Sequence, residues 1–317
     1  MEVLLAQPRG FCAGVVRAID VVELALQRFG PPVHVFHEIV HNSHVVDDLR
    51  SRGAIFVDDI DAIPPGSVTI FSAHGVADAV VARARQRRLR VIDATCPLVA
   101  KVHLKARRYA RDGRSVIIIG HRGHDEVEGT LGAVEGDTHV VSDIGDVERL
   151  PLPDAARTAY VTQTTLSVDD TRAVIAALQA RFPTIAGPQL SDICYATQNR
   201  QNAVRALARE VDLLLVVGSR NSSNSCRLQE VAQLCGVSAH LVEHVGEVDA
   251  GWLAGVERVG ITAGASTPEC LVREVCDRLL TWGATSVRTL PGPHETAHFR
   301  TPAMPVVEPA TPDTALA

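Results

Sequence analysis

Aromatic side chains are scarce in this chain: seven Phe, three Tyr and two Trp make up 4% of 317 residues. Single-stranded nucleic acid is usually gripped by aromatic faces that stack on successive bases, so that class of function is disfavoured. Positive charge is not in surplus either. The 31 Lys and Arg stand against 37 Asp and Glu, a net charge of −6, whereas a general nucleic-acid binder shows a basic face. No apolar run approaches the ~20 residues that a membrane-spanning helix needs. No secretory segment precedes Met1-Glu2-Val3, so the expected setting is the cytoplasm, with neither nucleic acid nor membrane as a partner.

What is present is a globular composition, 46% hydrophobic and 21% charged, with enough chain for two or three domains. Seven cysteines are an odd number in a long chain, which argues against a disulfide framework and for a reducing compartment. Short β-branched runs alternate with helical ones, the rhythm of parallel α/β layers. Strands are expected at 33–36, 54–57, 68–72, 91–94, 115–119, 139–141, 159–162, 213–217, 239–242 and 259–262. Helices are expected at 14–29, 78–88, 98–111, 168–181, 197–210, 225–235 and 268–282, with Gly30 and Gly113 as stops. Several strands end in glycine followed by histidine or hydroxyl residues, and in open α/β sheets ligands collect beyond such carboxyl ends. The fold class expected is therefore α/β, with similar units around a shared site. Breaks fall near 13, 96 and 193, giving units 14–96, 97–193 and 1–13 with 194–290. The tail 291–317, rich in Pro, Thr and Ala, is expected to be poorly ordered.

Three cysteines stand where an apolar run meets a turn: Cys12 in Pro-Arg-Gly-Phe-Cys-Ala-Gly, Cys96 in Asp-Ala-Thr-Cys-Pro and Cys194 in Ser-Asp-Ile-Cys-Tyr-Ala-Thr. They are too far apart in sequence for a zinc knuckle. Brought together, three thiolates would leave a metal one free coordination position. A single cysteine is more often a small packed hydrophobe, and Cys226, Cys235, Cys270 and Cys276 are read that way. His41, His74 and His124 lie in turn-like segments and offer N–H donors suited to a diphosphate, although a lone histidine is more often just a core or surface residue. The run Gly218-Ser219-Arg220-Asn221-Ser222-Ser223-Asn224-Ser225 sits between a strand and a helix, where backbone N–H groups and the helix dipole favour anions. It holds more hydroxyls and amides than an ordinary cap requires. Gly264-Ala265-Ser266-Thr267-Pro268 repeats the arrangement. Glu126 is a candidate proton donor, with Thr164 able to relay or position the proton; Glu126 alone could equally be a helix-start acid. Two basic runs, Arg83 to Arg90 and Lys101 to Arg114, have the spacing of solvated helix faces, or else form a docking face for an acidic electron-transfer protein.

Taken together, these segments closely resemble the 4-hydroxy-3-methylbut-2-enyl diphosphate reductase family. The resemblance runs from Pro-Arg-Gly-Phe-Cys-Ala-Gly-Val at residue 8 to Thr-Ala-Gly-Ala-Ser at residue 262. It passes through His-Glu-Ile-Val-His-Asn, Phe-Ser-Ala-His-Gly-Val, Asp-Ala-Thr-Cys-Pro-Leu-Val, Gly-His-Asp-Glu-Val-Glu-Gly-Thr, Thr-Gln-Thr-Thr-Leu-Ser-Val-Asp-Asp and Asp-Ile-Cys-Tyr-Ala-Thr-Gln-Asn-Arg-Gln. It implies three α/β lobes in pseudo-threefold arrangement around one 4Fe-4S cluster, held by Cys12, Cys96 and Cys194 with one iron open. It further implies that His41, His74, His124, Ser222, Ser223, Asn224 and Ser266 hold the diphosphate. Glu126 would supply protons and Thr164 would contact the substrate hydroxyl, with ferredoxin or flavodoxin as electron donor. Cys226 departs from the family pattern. An iron–sulfur sensor without turnover and a zinc-dependent hydrolase are the competing readings; a sensor has no need of the anion-ready turn Ser222–Asn224, and a zinc enzyme would hold no sulfide.

Overall fold

The computed structural model describes residues 1–153, 156–188 and 192–305. The chain opens with strand β1 (Glu2–Leu5) and helix α1 (Ala13–Phe29), then builds a first set of elements: β2 (Val33–Phe36), α2 (Ser43–Ser51), β3 (Ala54–Val57), β4 (Val68–Phe71), α3 (Asp78–Gln86) and β5 (Arg90–Asp93). A second set follows: α4 (Pro97–Arg111), β6 (Ser115–Ile119), α5 (Asp125–Leu131), β7 (Thr138–Val141), α6 (Ile144–Glu148), β8 (Thr158–Thr162) and α7 (Val168–Arg181). The last comprises α8 (Tyr195–Leu207), β9 (Leu213–Val217), α9 (Ser223–Leu234), β10 (Ser238–Val242), β11 (Arg258–Ala263), α10 (Glu269–Thr281) and β12 (Ser286–Thr289).

These strands form three small sheets, ordered β3-β2-β4-β5, β7-β6-β8 and β10-β9-β11-β1-β12. All the paired strands run parallel. Parallel strands need crossover connections, and the helices that make them cover the sheet faces. Burial on both faces shows in the side-chain partition. In the largest sheet Val3, Leu5, Leu213, Leu215 and Val217 enter one cluster, while Leu4, Leu214 and Val216 enter the cluster opposite. In the smallest, Ile117 and Ile119 face one core, and Val116 and Ile118 face another. The period of two follows from strand geometry. It leaves nearly continuous apolar strands whose polar groups collect where the strands stop.

The N-terminal segment takes part in the last sheet, where β1 lies between β11 and β12. Its placement carries the chain across to α1, which packs against the first sheet through Ala18, Val21, Val22 and Ala25. The tail expectation changes in part. Residues 291–305 are described and make specific contacts, because Arg200 and Arg17 offer buried donors to them. Residues 306–317 lie outside the described residues.

Candidate active site

Most candidate side chains follow a strand end, whereas Cys194 comes after α7 and opens α8. Cys12 lies beyond β1, His41 beyond β2, His74 beyond β4 and Cys96 beyond β5. His124 lies beyond β6, Thr164 beyond β8, Ser222 beyond β9 and Ser266 beyond β11. All twelve residues singled out from the sequence line one cavity, which holds about 690 Å³ of empty space, its open mouth included.

Cys12, Cys96 and Cys194 are the N-cap residues of α1, α4 and α8. Three helix N-termini thus face one group of sulfur atoms, a setting that favours negative charge. Their backbones are fixed from neighbouring strand ends: the N–H of Cys12 donates to the Ala265 carbonyl, that of Cys96 to Ala73 and that of Cys194 to Thr164. Burial, together with the neighbouring cysteines, pushes the Cys96 thiol up to about 12 and the Cys194 thiol up to about 11. Thiols so raised do not ionise at neutral pH unless a cation takes up the charge.

The surroundings fit an iron–sulfur group. A Cβ built on Gly14 would stand 2.8 Å from the Cys96 Sγ and 3.8 Å from the Cys12 Sγ, so the floor between the sulfurs is kept free of side chain. Three soft sulfur donors suit such a cluster. The remaining cysteines take other places. Cys276 is buried as expected, but Cys235 and Cys270 are exposed, and Cys226 is half-buried with its Sγ donating to the Arg220 carbonyl. Cys235 caps the end of α9 and Cys270 sits in the first turn of α10, positions that turn a side chain to solvent.

Across the cavity the imidazoles of His41 and His74 stack with ring centroids 4.0 Å apart, and His124 meets them edge-on at 5.4 and 5.9 Å. His124 caps α5, its Nδ1 accepting the Glu126 N–H at 3.2 Å. That bond assigns the proton to Nε2 and leaves it as the donor. Burial and the neighbouring imidazoles hold His74 well below the usual histidine range, and push His124 down to about 4. The Nε2 of His41, the Nδ1 of His74, both side-chain polar atoms of Asn224 and the Ser225 hydroxyl are buried without a hydrogen-bond partner. Buried polar atoms are rarely left so, and those of His41, His74 and Asn224 belong to residues that line the cavity. The Asp125 carboxylate lies 3.9 Å from His41 and 3.8 Å from His74.

Ser222 is the N-cap of α9, accepting from the Ser225 N–H, which places Ser223 and Asn224 in its first turn. Ser266 donates to the His41 carbonyl at 2.9 Å. Ser223 lies 3.3 Å from the Thr165 hydroxyl. Thr165 also lines the cavity, and within Thr-Gln-Thr-Thr-Leu no spacing signal separates it from Thr164. Glu126 is buried and receives two hydrogen bonds from Thr164, the N–H at 2.8 Å to Oε1 and the hydroxyl at 2.9 Å to Oε2. Burial nevertheless outweighs these donors and lifts the carboxyl to about 7. A carboxylic acid that holds its proton near neutrality is matched to proton delivery.

Among the described residues, four side chains of the basic runs form ion pairs: Arg83 and Arg87 with Asp61, Arg107 with Asp78, and Lys105 with Asp192. No helix among the described residues is long and apolar enough to cross a membrane.

Comparison with known proteins gives a consistent likeness. The model of the LytB protein family matches residues 3–280. A protein of Bordetella pertussis (strain Tohama I) named 4-hydroxy-3-methylbut-2-enyl diphosphate reductase is 58% identical over 95% of this chain and 93% of its own length. One of the same name from Azoarcus sp. (strain BH72) is 56% identical, over 95% and 96%. Among solved structures, E-1-hydroxy-2-methyl-but-2-enyl-4-diphosphate reductase from Plasmodium falciparum superposes with a TM-score of 0.90 at 38% identity, covering 95% of each chain.

Proposed function

The chain belongs to the LytB protein family, and on that footing we propose that it reduces 4-hydroxy-3-methylbut-2-enyl diphosphate to isopentenyl and dimethylallyl diphosphate, the terminal step of non-mevalonate isoprenoid synthesis. The reaction removes the allylic hydroxyl as water and consumes two electrons and two protons. In this reading Cys12, Cys96 and Cys194 would hold one 4Fe-4S cluster with one iron open. When bound, that group supplies the electrons and a Lewis-acid point for the hydroxyl oxygen. The electrons arrive from a partner such as ferredoxin or flavodoxin, in the cytoplasm.

The chain's own residues do the rest. His41, His74, His124, Ser222, Ser223, Asn224 and Ser266 grip the diphosphate, which would satisfy the unpartnered atoms among them. Fixing one end of a short substrate sets the distance of its hydroxyl from the sulfur-lined floor and removes much of the entropic cost of reaction. The Thr164 hydroxyl orients the substrate oxygen. Glu126 holds the proton that leaves with that oxygen, and Thr164 Oγ1, 2.9 Å from its Oε2, is placed to pass it on. The second proton goes to either end of the allylic carbon skeleton, which accounts for two products. The lobes 14–96, 97–193 and 1–13 with 194–290 belong to the same proposal, supported by one small sheet in each.

One observation carries the reading: a buried acid lifted to about 7 by burial lines the same cavity as a sulfur triad and a set of unsatisfied polar atoms. Anaerobic incubation of the iron-loaded protein with the allylic diphosphate and a chemical reductant should yield both five-carbon diphosphates and water. Release of inorganic phosphate with neither product would refute it.

A further inference from the structure

Two buried arginines take no part in this chemistry, yet each reaches a turn that delivers a cysteine. Arg200, fully buried on α8, donates from Nε at 3.1 Å and Nη2 at 2.7 Å to the Gly10 carbonyl, with Phe11 at 3.4 Å from Nη2. Its Nη1 donates to Ala196 at 2.9 Å. The rest of its fork closes on Glu295, with Nη1 to Oε1 and Nη2 to Oε2 both at 3.1 Å. All the N–H groups of a guanidinium, which is always charged, are thereby used, and Glu295 supplies the counter-charge. Arg17 on α1 donates from Nη1 to the Ala94 carbonyl at 2.9 Å and to Thr95 at 3.0 Å, and from Nε to the Arg300 carbonyl at 2.8 Å. The first arginine thus binds the turn just before Cys12, and the second the turn just before Cys96.

The C-terminal segment lies flat along the same path. The Leu290 N–H donates to the Leu5 carbonyl, and a Cβ on Gly292 would stand 2.0 Å from the Gln7 carbonyl oxygen. Asn199 donates to Glu295 at 3.1 Å, and Met304 packs on the first core, against which Phe11 and Cys12 also pack.

We propose that residues 290–304 are a clasp, with Glu295, Arg200 and Arg17 as positioning residues that hold the Cys12 and Cys96 turns in ligating geometry. The proposal rests on the reading of those cysteines as cluster ligands, and it deepens that reading. A buried guanidinium that loses its carboxylate must find water or move, and the carbonyls it holds move with it. The Arg17 contacts are to carbonyls only, so a lysine there keeps the charge but cannot span Ala94, Thr95 and Arg300 together.

The test is amide hydrogen exchange on the full-length protein, anaerobically iron-loaded and again metal-free, for wild type, Glu295→Gln and Arg17→Lys. Reporter amides are Gly10 and Cys12 on one turn and Cys96 on the other, which donate to Ala263, Ala265 and Ala73. Glu295→Gln should speed exchange in 9–13 by at least about tenfold, and Arg17→Lys should do so in 93–97, with β6 unchanged. Both variants should also lose iron to a chelator faster than wild type. Unchanged exchange in both turns, or equal acceleration in β6, would overturn the clasp. Wild type that binds no iron would sink the ligand reading instead, while the metal-free exchange still decides the clasp.

Discussion

In the proposed reaction, Glu126 is the residue on which turnover would depend most directly. With its carboxyl lifted to about 7 by burial, the acid form is full below that pH and is lost as pH rises through it. Turnover that needs this proton should therefore fall on the alkaline side of about pH 7, and Glu126→Gln should remove the dependence together with a factor of about 10² to 10⁴ in rate. Iron content and diphosphate binding should stay near wild type, because the amide keeps the shape that Thr164 holds. A flat pH–rate profile for wild type would place the donor elsewhere.

The histidines make a separate prediction. His74 and His124 are held neutral by burial and by neighbouring imidazoles, His41 beside both, whereas a bound diphosphate favours their charged forms. Binding of inorganic diphosphate near pH 7 should take up protons and should weaken as pH rises, with calorimetry in buffers of different ionisation enthalpy as the measure. Heat independent of the buffer would contradict diphosphate binding by these histidines. At this scale the sequence pointed to the residues of one cavity by type: cysteine as a candidate for soft metal, histidine and serine as candidates for an anion, an acid as a candidate proton donor. It was silent on Arg17, Arg200 and Asp125, whose meaning comes from which carbonyls or rings the fold sets beside them.

At the scale of elements, long helices were legible and short elements only in part: β2, β3, β6 and β9 match their expected limits. Helix α7 matches its expected limits, and α1 and α4 begin one residue earlier than expected. β1, β12, α2, α5 and α6 were not read as elements, because four to nine residues give little periodicity. The starts of α8 and α9 were placed two residues late; Cys194 caps its helix, although cysteine is not a usual cap. The first turn of α1 offers a test. Alanine is favoured over glycine in a helix by about 1 kcal/mol, but a Cβ at position 14 intrudes on the Cys96 Sγ. Gly14→Ala should leave the urea midpoint of the metal-free chain equal or higher while iron loading drops severely. Iron loading at wild-type level would show that the floor has room to spare. In the smallest sheet, Ile117 is fully buried, and Ile117→Ala should cost about 2 to 5 kcal/mol in urea unfolding.

Across the whole molecule, three parallel sheets bring their strand ends to a common cavity, and the groups gathered there come from nearly the full length of the chain. Periodicity predicted parallel α/β layers because both sheet faces are covered. It could not predict that the tail folds back, since the tail's anchors are two arginines far away in sequence. The account stands or falls on the sulfur triad. Iron and acid-labile sulfide should be measured after anaerobic reconstitution of wild type, Cys12→Ser, Cys96→Ser, Cys194→Ser and Cys235→Ser. About four of each per chain are expected in wild type and Cys235→Ser, with severe loss in the other three; equal iron in all five proteins, or zinc without sulfide, would contradict it.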